Sequence, residues 1–365
     1  MPGDAQPVLV IEDDPFIRIV QVVLDPDTPA ERRAAFARFF AHDLPDFEGW
    51  CSRLRSRLGG LYPARVLPVA TQEELRTALP VADVAIIESL SIGLDELAVT
   101  EGLKLVQQYG TITRDIDDVA CTGLGIGVLT LRRRANIACA EHTLALMLSL
   151  AKRLSRIQGR IAVEQLLEAG FSPTRFDRRH TANSGWARIP GIKMLYESTL
   201  GIVGLGEIGR ELALRAACFG MRVLYYQRNR LAPDEEARWQ ADYAPLERLL
   251  AESEYVSVQL PLTDSTRGFF DRRRLALMQP GAFLINTARA EIVEREAVLA
   301  TLRSGQLGGF ALDPLYEEPG RADDELLGFD NVILTPHTAA QPRFNALNDI
   351  EEMLAGIAAA LHLPA

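Results

Sequence analysis

Apolar positions along the chain change their rhythm near residue 199. From there on, short continuous apolar runs recur at Thr199–Val203, Met221–Tyr226, Tyr255–Leu260, Ala282–Thr287, Gly308–Leu312 and Asn331–Thr335, with helically spaced stretches between them. Runs of this length without alternation are expected of strands covered by helices on both faces, which is the condition of a parallel sheet. Upstream the pattern is looser. Phe16–Leu24 reads as the first strand in preference to the acid-ended segment Val8–Pro15, and strands follow at Arg65–Val69, Val84–Ile87, Lys104–Tyr109 and near Gly125–Leu131. Helices are predicted from Ala30, where Phe36, Phe39 and Phe40 fall at helical spacing, from Thr71 and near Leu94–Val99. Ile137–Leu154, rich in Ala, Leu and Met at helical spacing, is long enough to join two domains, and Asp349–Leu361 is a closing helix. Residues 170–198 lack periodicity and read as a surface connection. Alternation of this kind predicts an α/β protein with two Rossmann-like doubly wound domains, the second with six strands.

Composition narrows the class of ligand. A chain of 365 residues, 48% hydrophobic and 24% charged, carries enough apolar mass for two cores. The net charge of −10 and the lack of a basic tail exclude a general nucleic-acid binder and favour a small partner. Cys51, Cys121, Cys139 and Cys218 are scattered without metal-ligand spacing, so no metal is expected and free thiols in the cytoplasm are. No signal peptide or membrane span is read in the chain, because its strongest apolar stretch, Ala138–Ala151, is broken by Glu141 and His142.

The first apolar run of the second half continues into Gly204-Leu205-Gly206-Glu207-Ile208-Gly209, after which a helical pattern extends through Cys218. Glycines at this spacing, between strand and helix, allow a tight turn, a close approach of pyrophosphate to backbone N–H groups, and tight packing of helix on strand. A protein kinase shares the spacing but would need further motifs that this chain lacks. Ligands of doubly wound sheets bind beyond the carboxyl ends of the strands. The residues just past the fourth, fifth and sixth runs are Asn286-Thr287-Ala288-Arg289, Asp313 with Glu317-Glu318-Pro319, and Thr335-Pro336-His337. An arginine, a carboxylate and a histidine suit hydride transfer to a 2-oxo acid: a cation anchors the substrate carboxylate, and a group titrating near neutrality handles the hydroxyl proton.

These motifs, together with Gln259-Leu260-Pro261-Leu262-Thr263 and Ala140-Glu141-His142, resemble the D-isomer-specific 2-hydroxyacid dehydrogenases, and within them the glyoxylate/hydroxypyruvate reductases. The resemblance implies an oxidoreductase that uses NADP or NAD, with His337 as acid/base, Glu318 as its partner and Arg289 as carboxylate anchor. It implies cofactor contacts from Gly204, Gly206, Glu207, Ile208, Gly209, Pro261, Thr287, Ala288 and Asp313, the last on the nicotinamide side. It also implies a flavodoxin-like substrate domain over residues 1–139 completed by residues 342–365, a dinucleotide domain over 140–341, a cleft that closes between them, and a homodimer. Substrate contacts are expected from Ser89, Gly110, Thr111, Arg289 and His337.

Two places depart from the family pattern. The turn that usually offers glycine N–H groups to the substrate reads Gly110-Thr111-Ile112-Thr113-Arg114-Asp115, and an Arg132-Arg133-Arg134 run follows the next strand. Such a charge run reads as a solvated face, with the alternative that Arg134 enters the cleft and pairs with a substrate carboxylate, while Glu88, next to Ser89, reads as a solvated charge. At the end of the second strand of the dinucleotide domain, NAD-specific proteins place an acidic residue that binds the ribose hydroxyls; Gln227 stands there, followed by Arg228 and Arg230. NADP is the expected preference. A corepressor or redox sensor on the same fold would keep these residues without turning over a substrate.

Overall fold

The computed structural model describes residues 6–363, and the chain divides into two compact units, Met1–Asn136 with Gln341–Ala365, and Ile137–Ala340. In the first unit β1 (Val8–Glu12), β2 (Arg65–Val69), β3 (Val84–Ile87), β4 (Leu105–Gln108) and β5 (Gly127–Leu129) form a parallel sheet in the order β2-β1-β3-β4-β5, the flavodoxin-like order. One face is covered by helices including Phe344–Ala360, whose Leu347, Ile350, Met353, Leu354 and Ile357 are buried. Leu75, Leu79, Ile92 and Leu97 pack against the other face.

The first strand differs from the sequence expectation. Val8–Glu12 is the strand, and Arg18–Leu24 is a helix. The β-branched run Ile19-Val20-Gln21-Val22-Val23 favours extended structure locally, yet Ile19, Val20, Val22, Val23 and Leu24 are all buried in this helix. The Asp14 carboxylate accepts the N–H groups of Phe16 and Ile17 at 2.8 and 3.0 Å, which turns the chain out of β1. Burial on nearly all sides outweighs propensity here.

In the second unit β6 (Thr199–Val203), β7 (Arg222–Tyr226), β8 (Asp242–Tyr243), β9 (Tyr255–Val258), β10 (Ala282–Asn286), β11 (Leu307–Leu312) and β12 (Val332–Leu334) are arranged β12-β11-β10-β9-β6-β7-β8. The sheet has seven strands rather than six. The additional one, β8, is a two-residue edge strand beginning with an aspartate, too short and too polar to stand out in an apolar pattern. The strands are parallel throughout, and the order in which they are added reverses between β6 and β9, which opens the crevice at their carboxyl ends where ligands of such sheets bind. The helix Arg134–Lys152 lays Leu144, Met147 and Leu150 onto one face of this sheet. Residues 170–198 contain no helix or strand.

Candidate active site

The glycine loop runs from β6 into the helix Glu207–Cys218. Gly204 has φ +102°, and a Cβ there would lie 2.3 Å from the Gln259 carbonyl oxygen; at Gly209 it would lie 2.4 Å from the Gly204 carbonyl oxygen. Both positions exclude any side chain. Gly206, the helix N-cap, is exposed and has no heavy atom within 4 Å of its Cβ position, so the space around it is open at the residue from which the helix starts. Such a cradle fits a dinucleotide pyrophosphate. Glu207 and Ile208, partly buried, form the first turn of the helix.

Past β11 and β12, the two candidate acid/base residues meet. The His337 Nδ1 lies 2.9 Å from Glu318 Oε1 and 3.0 Å from Oε2, and the Leu315 N–H donates to Oε1 at 3.0 Å. An ionised carboxylate only accepts, so Nδ1 carries the hydrogen. That hydrogen bond from His337 holds the Glu318 carboxyl below the usual carboxylate range. Both side chains are partly exposed, and among the described residues the other ring nitrogen, Nε2, has no partner. His337 sits at φ +54°, a left-handed conformation that a non-glycine residue keeps only when its surroundings impose it.

Asp313 supplies that imposition. It has no exposed surface, and its carbonyl accepts the His337 N–H at 3.0 Å. Its Oδ1 accepts from the Thr335 hydroxyl at 2.6 Å and the Thr338 N–H at 2.8 Å, and its Oδ2 from the Ala339 N–H at 2.9 Å. The residue expected on the nicotinamide side thus has both oxygens engaged by its own chain. Burial works to raise its carboxyl pKa, but bonds from His142, Thr335, Thr338 and Ala339 prevail and hold it at about 2. A carboxyl depressed in the folded state adds stability above its unfolded value, and this is lost as pH falls through the folded one. Asp313→Asn is therefore expected to lower stability by about 2 kcal/mol at neutral pH, with the gap to the wild-type protein closing from about pH 4 towards about pH 2. Urea unfolding at pH 7 and pH 3 measures the gap; an equal gap at both would contradict the assignment.

Arg289 follows β10 and is exposed. The Asn286 side chain shapes its turn, accepting the Ala288 N–H at 3.0 Å and donating to the Arg289 carbonyl at 2.8 Å. The Arg289 guanidinium donates to the Ala288 carbonyl at 2.7 Å and, among the described residues, pairs with no carboxylate. Thr287 is buried, its hydroxyl 2.8 Å from that of Thr143 and accepting from Gln259 Nε2 at 3.1 Å, while Ala288 is partly buried and Pro261 exposed. At the end of β7, Gln227 Nε2 donates to the Asn229 carbonyl at 2.6 Å, and Arg230 is held by both oxygens of Glu236 at 2.8 Å. Arg228 is exposed and has no hydrogen-bond or ion-pair partner among the described residues.

Ser89 and Gly110 lie past β3 and β4 of the first unit. The Ser89 hydroxyl and its N–H both donate to Glu12, the N–H at 2.8 Å, and Gly110 is buried while Thr111 is exposed. Glu88 is not a freely solvated charge: it pairs with Arg133 at 2.6 Å, and the Arg133 guanidinium lies 4.3 Å over the Tyr109 ring. Arg134, the candidate for a substrate contact, spends its guanidinium on Asp349 at 2.9 Å and Glu352 at 2.7 Å, and its N–H also meets the Asp349 carboxylate. Asp349 is fully buried, so its charge demands that partner. Three residues escaped the sequence reading: Asn286 and Thr335 lie inside motifs it quoted, whereas nothing local marks Thr143 as a partner for Thr287, 144 residues away.

Residues 144–339 match the family described as "D-isomer specific 2-hydroxyacid dehydrogenase, NAD binding domain". The chain is 35% identical over 254 residues to the glyoxylate reductase of Pyrococcus furiosus, covering 69% of this chain and 71% of that one. It is 31% identical over 271 residues to the D-3-phosphoglycerate dehydrogenase of Methanocaldococcus jannaschii, covering 74% of this chain and 48% of the relative. Among solved structures, D-mandelate dehydrogenase of Rhodotorula graminis superposes with a TM-score of 0.55 at 21% identity, over 96% of this chain and 93% of that one, a likeness of fold.

Proposed function

The chain belongs to the D-isomer specific 2-hydroxyacid dehydrogenase family, and from that premise we propose that it reduces a short 2-oxo acid such as glyoxylate to the 2-hydroxy acid with NADPH in preference to NADH. The observation that carries the reading is the His337–Glu318 pair at 2.9 Å on the same sheet edge as the glycine cradle and the Arg289 side chain, which no carboxylate of the described residues neutralises. On this reading the second unit holds the dinucleotide, through the open backbone at Gly206 and the Arg228 side chain, and the first unit contributes to substrate selection.

When bound, the reduced nicotinamide supplies the hydride. The chain's own residues do the rest. Arg289 presents a guanidinium fork to the substrate carboxylate and draws electron density from the neighbouring carbonyl. Glu318 fixes the Nδ1–H tautomer and steadies the imidazolium, which leaves Nε2 to deliver a proton to the carbonyl oxygen as it gains charge. In the oxidative direction the same Nε2 accepts the hydroxyl proton.

Initial rates against a panel of 2-oxo acids, from glyoxylate and hydroxypyruvate to pyruvate and phosphohydroxypyruvate, with each nicotinamide cofactor, test the proposal. Turnover with the shortest acids is expected, and absence of turnover with every acid would overturn it. Glu318→Gln removes the charge that favours the imidazolium, so the pH profile for reduction is expected to move to lower pH. A profile that stays in place would remove Glu318 from this role.

A further inference from the structure

A second histidine stands behind the first. His142, in the second turn of the helix part that belongs to the second unit, places its Nε2 3.1 Å from the Thr335 hydroxyl oxygen and 3.4 Å from Asp313 Oδ1. The Thr335 hydroxyl has a single hydrogen, and at 2.6 Å that hydrogen goes to the Asp313 carboxylate, which is the stronger acceptor. The Thr335 oxygen is then left as an acceptor towards His142, and Nε2 must be the donor. The chain of bonds runs His142 Nε2–H to Thr335 Oγ1–H to Asp313 Oδ1, and from Asp313 to the backbone N–H groups of residues 337, 338 and 339. Asp313 lacks any exposure, while the His142 side chain is partly exposed at 22%.

We propose that His142 is a positioning residue for the acid/base: its Nε2–H, relayed by the Thr335 hydroxyl, orients the Asp313 carboxylate that holds His337 in its left-handed turn. The turn is what aims the ring. Without the relay, the Asp313 carboxylate loses one of its fixed donors, the 337–339 backbone loses its clamp, and His337 relaxes towards a negative φ that turns its ring away from Glu318. The proposal rests on the reading of His337 as the acid/base, and it adds a residue 195 positions earlier in the chain, on a different element, that touches neither substrate nor reacting atoms.

The test compares His142→Leu, which removes the donor, with His142→Gln, whose amide nitrogen reaches the position of Nε2, and with Thr335→Val. His142→Leu is expected to lower kcat by about tenfold to a hundredfold, the scale for misplacing a catalytic group. KM for the nicotinamide cofactor should stay within about twofold, and the isotope effect on kcat with deuteride in place of hydride should rise as chemistry becomes limiting. His142→Gln should recover most of the loss, and the His142→Leu/Thr335→Val double variant should be no worse than the poorer single one. A readout independent of turnover comes from NMR of the five histidines, with the His337 ring signals identified through His337→Ala. Those signals should move in His142→Leu and return in His142→Gln. Unmoved His337 signals, or a His142→Gln variant as impaired as His142→Leu, would overturn the proposal. A wild-type protein inactive on every 2-oxo acid would overturn the catalytic reading alone, because the NMR comparison still reports whether the relay holds the turn.

Discussion

Replacing His337 with alanine is expected to lower kcat for 2-oxo acid reduction by about two to four orders of magnitude, the usual contribution of a positioned general acid or base. Cofactor affinity should remain near that of the wild-type protein, since the ring is paired with Glu318 and is not part of the glycine loop that would bind the dinucleotide. The reason for so large an effect is geometric as well as chemical. The imidazole is fixed at Nδ1 by a charged partner and at the backbone by Asp313, so alanine removes a proton donor that is held in one orientation. Steady-state rates with saturating cofactor, together with cofactor titration by fluorescence, check the two halves of the expectation. A variant that keeps more than about a tenth of the wild-type rate removes His337 from the acid/base role.

The second large effect is on cofactor choice. Wild-type kcat/KM is expected to favour NADPH over NADH, and Arg228→Ala should reduce the ratio of the two by about tenfold or more. Two unit charges about 4 Å apart at an effective dielectric near 20 interact by about 4 kcal/mol, and exposure at the end of β7 screens part of that. The two arginines past Gln227 differ in their partners. Arg230 already donates to both oxygens of Glu236, so Arg230→Ala should change the ratio little, whereas Arg228 is exposed and has no carboxylate partner among the described residues. Gln227→Asp should swing the preference towards NADH, because a carboxylate there accepts from ribose hydroxyls and repels a phosphate. Kinetics with both cofactors at two ionic strengths provide the measurement: the Arg228 contribution should shrink at high salt. A wild-type ratio that favours NADH would sink the assignment.

The amino-acid sequence by itself determined the second sheet almost strand by strand, because a strand buried on both faces must be apolar throughout and glycine spacing is dictated by backbone sterics. It also determined which residue types stand at the carboxyl edge, since the residue after each apolar run is there by connectivity. Tertiary structure decided the rest. It made Arg18–Leu24 a helix, because burial around its circumference outweighs the extended preference of valine and isoleucine. It added β8, whose two residues pair only because β7 offers an edge. It paired Arg134 with Asp349, a buried carboxylate 215 residues away that no local pattern connects to it. It turned Asp313 towards the loop that carries His337, and set His142 behind both. These last assignments depend on which side chains become enclosed together, and an enclosed charge must find its partner wherever the fold brings one within reach.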